Sequence, residues 1–555
     1  MKSWRHLIML GLFLVLMSSL IGRLVFLNLS QASFLKREGE LSSVRIEEMP
    51  GLRGIIYDRN GEPLAVSTPV WSLWVDPSRL TLQARDVRKL ATILGLARNR
   101  LMEQIESASV KRFLYLKRRL TPNQYALLQA TGIPGLRYQR EYRRYYPAAE
   151  TTAHVVGLAG MDDRGREGSE LAFDDYLSGQ SGRKRVLRDR RNHTVKDLEF
   201  LEAPKMGRDL WLSLDLRLQY FAYRELLAAV GQSSAKSGSM VMLDARSGEV
   251  LAMVNYPSFN PNALDHLDFA SMRNRAITDT YEPGSTVKPL TVVAALESGL
   301  FNSNSRIDTS PGYLRVGSKL VQDPLNRGVI SLSTVLQKSS QVGIAKIALT
   351  LPASSIYEVF SRAGFGQPTQ LGLPGEASGV LSSRRLKNPL VRATLAYGYG
   401  LTVTPVQLAQ AYLALATGGV RLPVGILKLN ESPRGHKVFD RETVLQVSEM
   451  LGGVVEKDGT APKASVAGFS VYGKTGTVRK VVKGGYDDTR HVAFFAGVAP
   501  ASSPRVVVVV VINEPSAESG GGGAVAAPVF SRVVARALRL LNIEPDEGEI
   551  WSKAV

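Results

Sequence analysis

Ser285 and Lys288 stand three residues apart in Thr280–Ala295, TYEPGSTVKPLTVVAA. On a helix that spacing stacks the two side chains one turn apart on one face. Pro283-Gly284 supplies a turn just before them. Pro289 is tolerable only in a first turn, where its missing N–H had no partner anyway. The pair is therefore expected at a helix N-terminus, where free backbone N–H groups and the dipole favour developing negative charge. A hydroxyl beside an amine can do nucleophilic chemistry there if burial keeps the amine neutral, so that it takes the proton. Taken alone, this spacing is more often an exposed helix face.

Other constellations carry less. Gly468–Thr475, GFSVYGKT, fits the phosphate-loop pattern G-x-x-x-x-G-K-[ST]. That loop needs a strand before it and a helix after it, whereas the four intervening residues are strand-like and Gly476–Tyr486 lacks a helical period. His6, His154, His193, His266, His436 and His491 are scattered without metal-ligand spacing, so no metal site is expected. No G-x-S-x-G elbow is present. Asp162-Asp163 and Glu167-Gly168-Ser169-Glu170 raise paired-carboxylate chemistry as an alternative to a structural role.

The elements that must position these residues belong to a chain of 555, too long for one ordinary core. Apolar residues at 44% and charged residues at 21% argue against wholesale disorder. Sixty-nine Lys and Arg against 50 Asp and Glu give a formal charge of +19, compatible with nucleic acid, anionic lipid or an acidic polymer. The absence of cysteine excludes disulfides and thiolate chemistry without fixing the redox compartment. Lys2, Arg5 and His6 precede an apolar run, Leu7–Gly22, continued by Leu24–Leu29 past Arg23. The first run spans only ~24 Å as a helix, and the whole reaches ~35 Å against a hydrocarbon core of ~30 Å. Arg23 can snorkel to the far interface. Gly22-Arg23-Leu24 is a poor cleavage site, which favours an uncleaved anchor with its basic end in the cytoplasm over a cleaved signal peptide. Either way the remainder is exported, which weakens a nucleic-acid reading of the charge.

Downstream, Gly51–Val70 reads as two strands around an Asn60-Gly61 turn. Residues 86–130 carry helical periodicity. Residues 183–196 hold seven Lys or Arg in fourteen positions. This stretch reads as a solvated basic face, or else as a contact for anionic lipid, glycan polymer or an acidic partner. Ser213–Val230 reads as a helix, then Ser239–Leu243 and Val250–Tyr256 as a hairpin. Helices are expected over 284–365 and 405–417, and strands at Phe469–Tyr472, Val492–Val498 and Val506–Ile512. The last is unbroken β-branched sequence, suited to a buried central strand. Ala526–Leu541 closes as a helix with Pro528 in its first turn. The expected fold is mixed α/β (α+β), with a sheet completed by distant segments.

Ser339-Ser340-Gln341 lies in a helical stretch, and Lys474-Thr475-Gly476-Thr477 follows strand-like residues. With Ser285-x-x-Lys288 they resemble the S-x-x-K, S-D-N and K-T-G signature of penicillin-binding proteins and class A β-lactamases. Arg53–Gly61, RGIIYDRNG, resembles the start of the non-catalytic pedestal of class B penicillin-binding proteins. Tyr397-Gly398-Tyr399-Gly400 with Thr404-Pro405, and Arg490–Gly497, resemble segments flanking that family's third motif. Septal cell-division transpeptidases are the branch most resembled. The resemblance implies a penicillin-binding transpeptidase fold, an antiparallel sheet between helices, on an elongated pedestal with one membrane helix. It divides the chain into a cytoplasmic tail (1–6), transmembrane anchor (7–29), juxtamembrane connector (30–48), pedestal (49–200), linker helix (201–236), transpeptidase domain (237–545) and C-terminal tail (546–555). The acidic clusters at 162–170 then fall in the pedestal.

By the same resemblance, Ser285 is the acylated nucleophile and Lys288 its base. Ser339 relays protons, and Lys474 adds positive potential. Gln341, Thr475, Gly476 and Thr477 bind substrate, with the threonine hydroxyls holding its terminal carboxylate. The backbone N–H groups of Ser285 and Thr477 form the oxyanion hole. The implied substrates are peptidoglycan stem peptides, a D-Ala-D-Ala donor and an amine acceptor, with β-lactams as covalent inhibitors. No cofactor, metal or nucleic acid is implied. The implied partners are a polytopic glycosyltransferase and division-complex proteins at the inner membrane, with the catalytic domain in the periplasm. A D,D-carboxypeptidase or β-lactamase, or a catalytically weak scaffold or β-lactam sensor, stays open. The family's second motif ends in Asn, and Gln341 departs from it: either a tolerated variant or an altered acylation rate.

Overall fold

A computed structural model of the chain describes residues 3–30, 43–188, 194–263, 268–482, 485–516, 518 and 520–547. His193, His266, most of the expected juxtamembrane connector and most of the C-terminal tail lie outside them. The chain falls into two compact units, residues 1–54 with 178–208, and residues 55–177 with 209–555.

In the first unit Ser3–Ser30 is one continuous helix, unbroken at Arg23. Its stretch Trp4–Leu29 is long and apolar enough to cross a membrane. Val44–Met49, Gly182–Arg188 and Thr194–Glu202 form an antiparallel sheet in that order. Several cations of the basic stretch face carboxylates on neighbouring strands: Arg183 meets Glu202, Lys184 meets Asp197 and Arg185 meets Glu199 at 3.1–3.4 Å. Such exposed cross-strand pairs are worth little each but account for an ordinary solvated face.

The second unit opens with Ile56–Tyr57 and Pro63–Val75, antiparallel around a turn where Gly61 takes φ +95°. Leu114–Leu120 and Arg137–Tyr145 pair with the longer strand. Behind them Ala84–Leu94 buries Val87, Leu90 and Leu94 in a small separate core. The strand at 114–120 interrupts the helical pattern expected over 86–130. Glu170 is fully buried and ion-paired to Arg144 at 2.6 Å, and Asp162 pairs with Arg166. These carboxylates are structural.

A five-stranded antiparallel sheet carries the rest. Its strands, in chain order, are β1 (Ser237–Asp244), β2 (Val250–Tyr256), β3 (Tyr472–Val482), β4 (Gly485–Ala499) and β5 (Val506–Asn513), arranged β2-β1-β5-β4-β3. All eight residues of β5 are buried. Alternate side chains point to opposite faces, so both faces of the sheet are covered. Each buried valine contributes about 1.5–3 kcal/mol of burial. We label the helices used below α1 (Leu216–Gln232), α2 (Lys288–Glu297), α3 (Gln341–Thr350), α4 (Pro405–Ala416) and α5 (Ala527–Leu540). Helices α1, α4 and α5 pack on the sheet. Helix α4 is buried from Pro405 to Leu415, which explains its lack of a polar face.

From β1 onward the sequence reading differs in three further places. Phe469–Tyr472 is not a strand: Gly468 at φ +82° turns the chain and β3 begins at Tyr472. The 284–365 stretch is interrupted by short strands at Arg306–Asp308, Tyr313–Val316, Lys319–Gln322 and Val329–Ser331. Glycines at φ +59° to +95° (Gly312, Gly317 and Gly328) set their turns. Ser339 is not on a helix but in a break between Leu332–Gln337 and α3.

Candidate active site

Gly284–Val287 forms a single 3-10 turn that runs into α2, with Pro289 in the first turn of the helix. In a 3-10 turn residues i and i+3 eclipse, so Ser285 sits over Lys288. Every residue from Pro283 to Ala295 is buried except Ser285. The fold thus leaves Ser285 alone in this turn partly open to solvent.

Lys288 is fully buried. Its Nζ donates to the Ser339 carbonyl at 2.6 Å and to Ser339 Oγ at 3.2 Å. Burial holds its pKa well below the usual lysine value, the Lys474 charge lowers it further, and Asp323 opposes both. Lys474 is also fully buried, and burial brings it down to about 7. Two cations this close cannot both stay charged at low cost, so one amine is held neutral.

Ser339 reaches Lys288 through a strained backbone. It takes φ +57°, costly for a residue with a Cβ. Asp323, buried on the preceding hairpin, holds that break in place. Its carboxylate accepts from Ser340 Oγ at 2.5 Å, from the Gln341 N–H at 2.6 Å and from the Val342 N–H at 3.2 Å. An anion capping free N–H groups at a helix start is favourable, and this one fixes the strained serine beside it. Ser340, the N-cap of α3, accepts from the Gly343 N–H. Gln341 is the first residue of α3 and half-buried.

Lys474, Thr475, Gly476 and Thr477 lie within β3, the edge strand of the sheet. A Cβ on Gly476 would come within 2.9 Å of Thr286 and 3.1 Å of the Pro283 carbonyl. The serine turn therefore packs directly on this strand. Lys474 Nζ donates to Thr475 Oγ1 at 3.5 Å, and Thr475 Oγ1 meets Thr460 Oγ1 at 3.0 Å. Thr477 Oγ1 accepts from the Gly522 N–H at 3.1 Å, leaving its own proton free to donate. The strand continues past Lys474-Thr475 with no helix following, so the phosphate-loop match is accidental.

Three supports escaped the sequence reading of the site. Asp323 sits where a helix was expected, though Gly317-Ser318 between alternating apolar residues was a readable hairpin signal. Tyr412 of α4 donates to the Thr286 carbonyl at 2.8 Å, and a lone tyrosine in an apolar helix gives no such signal. Gly520–Gly523, a run visible in the sequence, lets the backbone close on Thr477: a Cβ on Gly521 would stand 2.3 Å from its hydroxyl. Tyr397–Gly400 has a defined task. The Gly284 N–H donates to the Gly398 carbonyl at 3.1 Å, and the Gly400 N–H donates to Glu282 Oε1 at 2.8 Å. Burial raises the Glu282 pKa. Of the histidines, His154 is buried with its ring 2.8 Å from the Ser271 carbonyl; burial, helped by the Arg275 charge, lowers its pKa to about 4 against the opposing pull of that carbonyl.

A solvent-facing serine over a buried lysine, a second serine on that lysine, and a lysine-bearing edge strand define a serine acyltransferase site. The family model described as "Penicillin binding protein transpeptidase domain" matches residues 238–535, and "Penicillin-binding Protein dimerisation domain" matches 48–212. The chain belongs to the penicillin-binding protein family. It is 40% identical over 545 residues to "Probable peptidoglycan D,D-transpeptidase PbpC" of Pseudomonas aeruginosa, covering 98% of this chain and 96% of that protein. It is 40% identical over 549 residues to "Peptidoglycan D,D-transpeptidase FtsI" of Escherichia coli, covering 98% and 93%. Among solved structures, the transpeptidase domain of Burkholderia pseudomallei penicillin-binding protein 3 matches 60% of this chain and 98% of its own, at 40% identity and TM-score 0.56. Penicillin-binding protein 3 of Mycobacterium tuberculosis, complexed with aztreonam, matches 90% and 98% at 26% identity and TM-score 0.68.

The Gly398–Gly284 contact generates a direct test. A Cβ on Gly398, whose φ is +89°, would fall 2.1 Å from the Gly284 carbonyl oxygen. Gly398→Ala is expected to push the serine turn off β3 and slow labelling by fluorescent penicillin at least about tenfold, equivalent to ~1.4 kcal/mol. Circular dichroism is expected to stay unchanged. Labelling at the wild-type rate would show that this contact does not position Ser285.

Proposed function

We propose that this chain is a membrane-anchored peptidoglycan D,D-transpeptidase acting at the division septum, and a covalent target of β-lactams. The observation that carries the reading is the buried Lys288 amine within hydrogen-bond reach of Ser339 and beneath the open Ser285. Ser285 Oγ attacks the carbonyl of the penultimate D-Ala and passes its proton to neutral Lys288. The backbone N–H groups of Ser285 and Thr477 hold the oxyanion, each worth about 3 kcal/mol. Collapse breaks the peptide bond, Ser339 relays the proton to the departing D-Ala amine, and an ester to Ser285 remains. An acceptor amine then attacks the ester, forming the cross-link and restoring the hydroxyl. Lys474 attracts the donor's terminal carboxylate, which Thr475 and Thr477 hold, while Gln341 bonds the acyl side-chain amide.

The division of labour we propose places the anchor at 7–29, the pedestal at 49–200 and the transpeptidase domain at 237–545, the last in the periplasm. Labelling with a membrane-impermeant fluorescent penicillin tests nucleophile and orientation together. Spheroplasts are expected to label, and Ser285→Ala is expected to abolish the band. A band that persists in the variant would move the nucleophile elsewhere, and spheroplasts that label only after lysis would reverse the orientation.

The pH dependence follows from the two lysines. Lys288, lowered by burial, supplies neutral base above its own pKa, so acylation falls toward acid. Lys474, at about 7, loses its charge as pH rises, so acylation falls again on the alkaline side. Lys474→Arg is expected to carry the alkaline limb well above pH 7. A limb that stays in place would assign that titration to another group.

The septal role rests on the similarity to FtsI of Escherichia coli, 40% identical to this chain. Depletion is expected to give filaments, and rounded cells would assign the enzyme to elongation instead. A polytopic glycosyltransferase and division-complex proteins are the proposed partners, contacting the anchor and pedestal. They are expected to co-purify in mild detergent, and their absence from the full-length, anchored protein would remove that part of the proposal.

A further inference from the structure

Residues outside the three motifs form a half-open concavity of about 220 Å³, lined among others by Arg421, Arg434, His436, Gln367, Gln370 and Gln410. None of its lining residues belongs to the three motifs, and none is a carboxylate. At ~30 Å³ per water the cavity holds about seven waters, room for a diphosphate or a short dicarboxylate.

Its charge is unbalanced. Val420–Arg421 pairs antiparallel with His436–Lys437, putting Arg421 opposite His436, with Arg434 two residues away. Arg421 donates to the Arg362 carbonyl at 3.2 Å and has no ion-pair partner among the described residues. Arg434 and His436 make no side-chain hydrogen bond or ion pair among the described residues. Glu376, bonded to the wall residue Thr369, already accepts from the Thr369 N–H at 2.5 Å, from the Thr369 hydroxyl and from the Leu371 N–H at 3.2 Å. Two guanidinium groups on one concavity without a counter-charge repel each other unless an anion bridges them. The guanidinium fork matches carboxylate and phosphate geometry. Gln367, Gln370 and Gln410 also line it, and the Gln410 amide, which donates one hydrogen to the Leu422 carbonyl at 3.3 Å, keeps a second. Gly364, at φ +102°, keeps the wall open: a Cβ there would meet Gln410 Oε1 at 2.9 Å and an Arg421 nitrogen at 3.4 Å.

We propose that this cavity binds a small multivalent oxyanion, held between Arg421 and Arg434 with the glutamine amides fixing its orientation. Inorganic pyrophosphate and glutarate serve as phosphate and carboxylate probes, titrated into the full-length protein in detergent at constant ionic strength. Melting temperature and calorimetric heat are the readouts. One probe at least is expected to raise the melting temperature saturably. Arg434→Gln, at an exposed position, is expected to weaken it about tenfold, and Arg421→Gln with Arg434→Gln to abolish it. Fluorescent penicillin labelling of both variants at the wild-type rate verifies that they are folded. Response to pyrophosphate identifies a phosphate site, and response to glutarate alone a carboxylate site. No saturable response to either probe, or an equal response in the double variant, overturns the proposal.

Discussion

The site depends on one unfavourable act of burial. An ammonium group removed from water and given no carboxylate partner loses several kcal/mol of solvation, and Lys288 is placed so. The fold resolves this by letting the amine be neutral, with Ser339 accepting its hydrogens twice. A neutral amine under a solvent-facing hydroxyl is what general-base activation of a serine requires. The second buried lysine, Lys474, deepens the effect, because its field lowers Lys288 further. Asp323 limits it from the opposite direction while serving as a helix cap. The chemistry is thus set by charges on three segments, and by the sheet and helices that bring them together.

Backbone contacts rather than side-chain packing bring them together. The serine turn touches β3 at Gly476 and the Tyr397–Gly400 loop at Gly398, and at both places a methyl group would collide with backbone or with Thr286. β3 is an edge strand. Among the described residues its outer side has no neighbouring strand, so its polar groups can pair with an extended peptide laid along it.

The legible parts of this chain were those with strong local signals. The apolar N-terminal helix, the unbroken valines of β5 and the proline at the start of α2 all stood in the sequence and in the structure alike. Spacing placed Ser285 over Lys288 because i and i+3 coincide in a 3-10 turn as well as in a helix. What was not legible is conformation imposed from afar. Ser339 read as helical because its neighbours are helix formers, yet Asp323, sixteen positions earlier, caps α3 and forces the break. Likewise Phe469–Tyr472 has strand composition, but Gly468 turns the chain before pairing with β4 can begin. Propensity describes each segment alone, and tertiary contacts decide between the conformations it permits.

Gln341 shows how far these constraints reach. Its position departs from the asparagine the family resemblance leads one to expect, and an added methylene would ordinarily be absorbed by shifting the helix start. Here that adjustment is opposed. The Gln341 N–H is bound to Asp323 at 2.6 Å, Ser340 is bound to the same carboxylate, and Ser339 is bound to Lys288. Moving the backbone of 341 outward would pull on all three and loosen the strained serine that the lysine needs. The added length must be taken up by side-chain rotation at the first residue of α3, where half-burial leaves it some room. Under the proposed mechanism, the added methylene therefore moves the amide through its side chain and leaves the Asp323, Ser340 and Ser339 contacts in place.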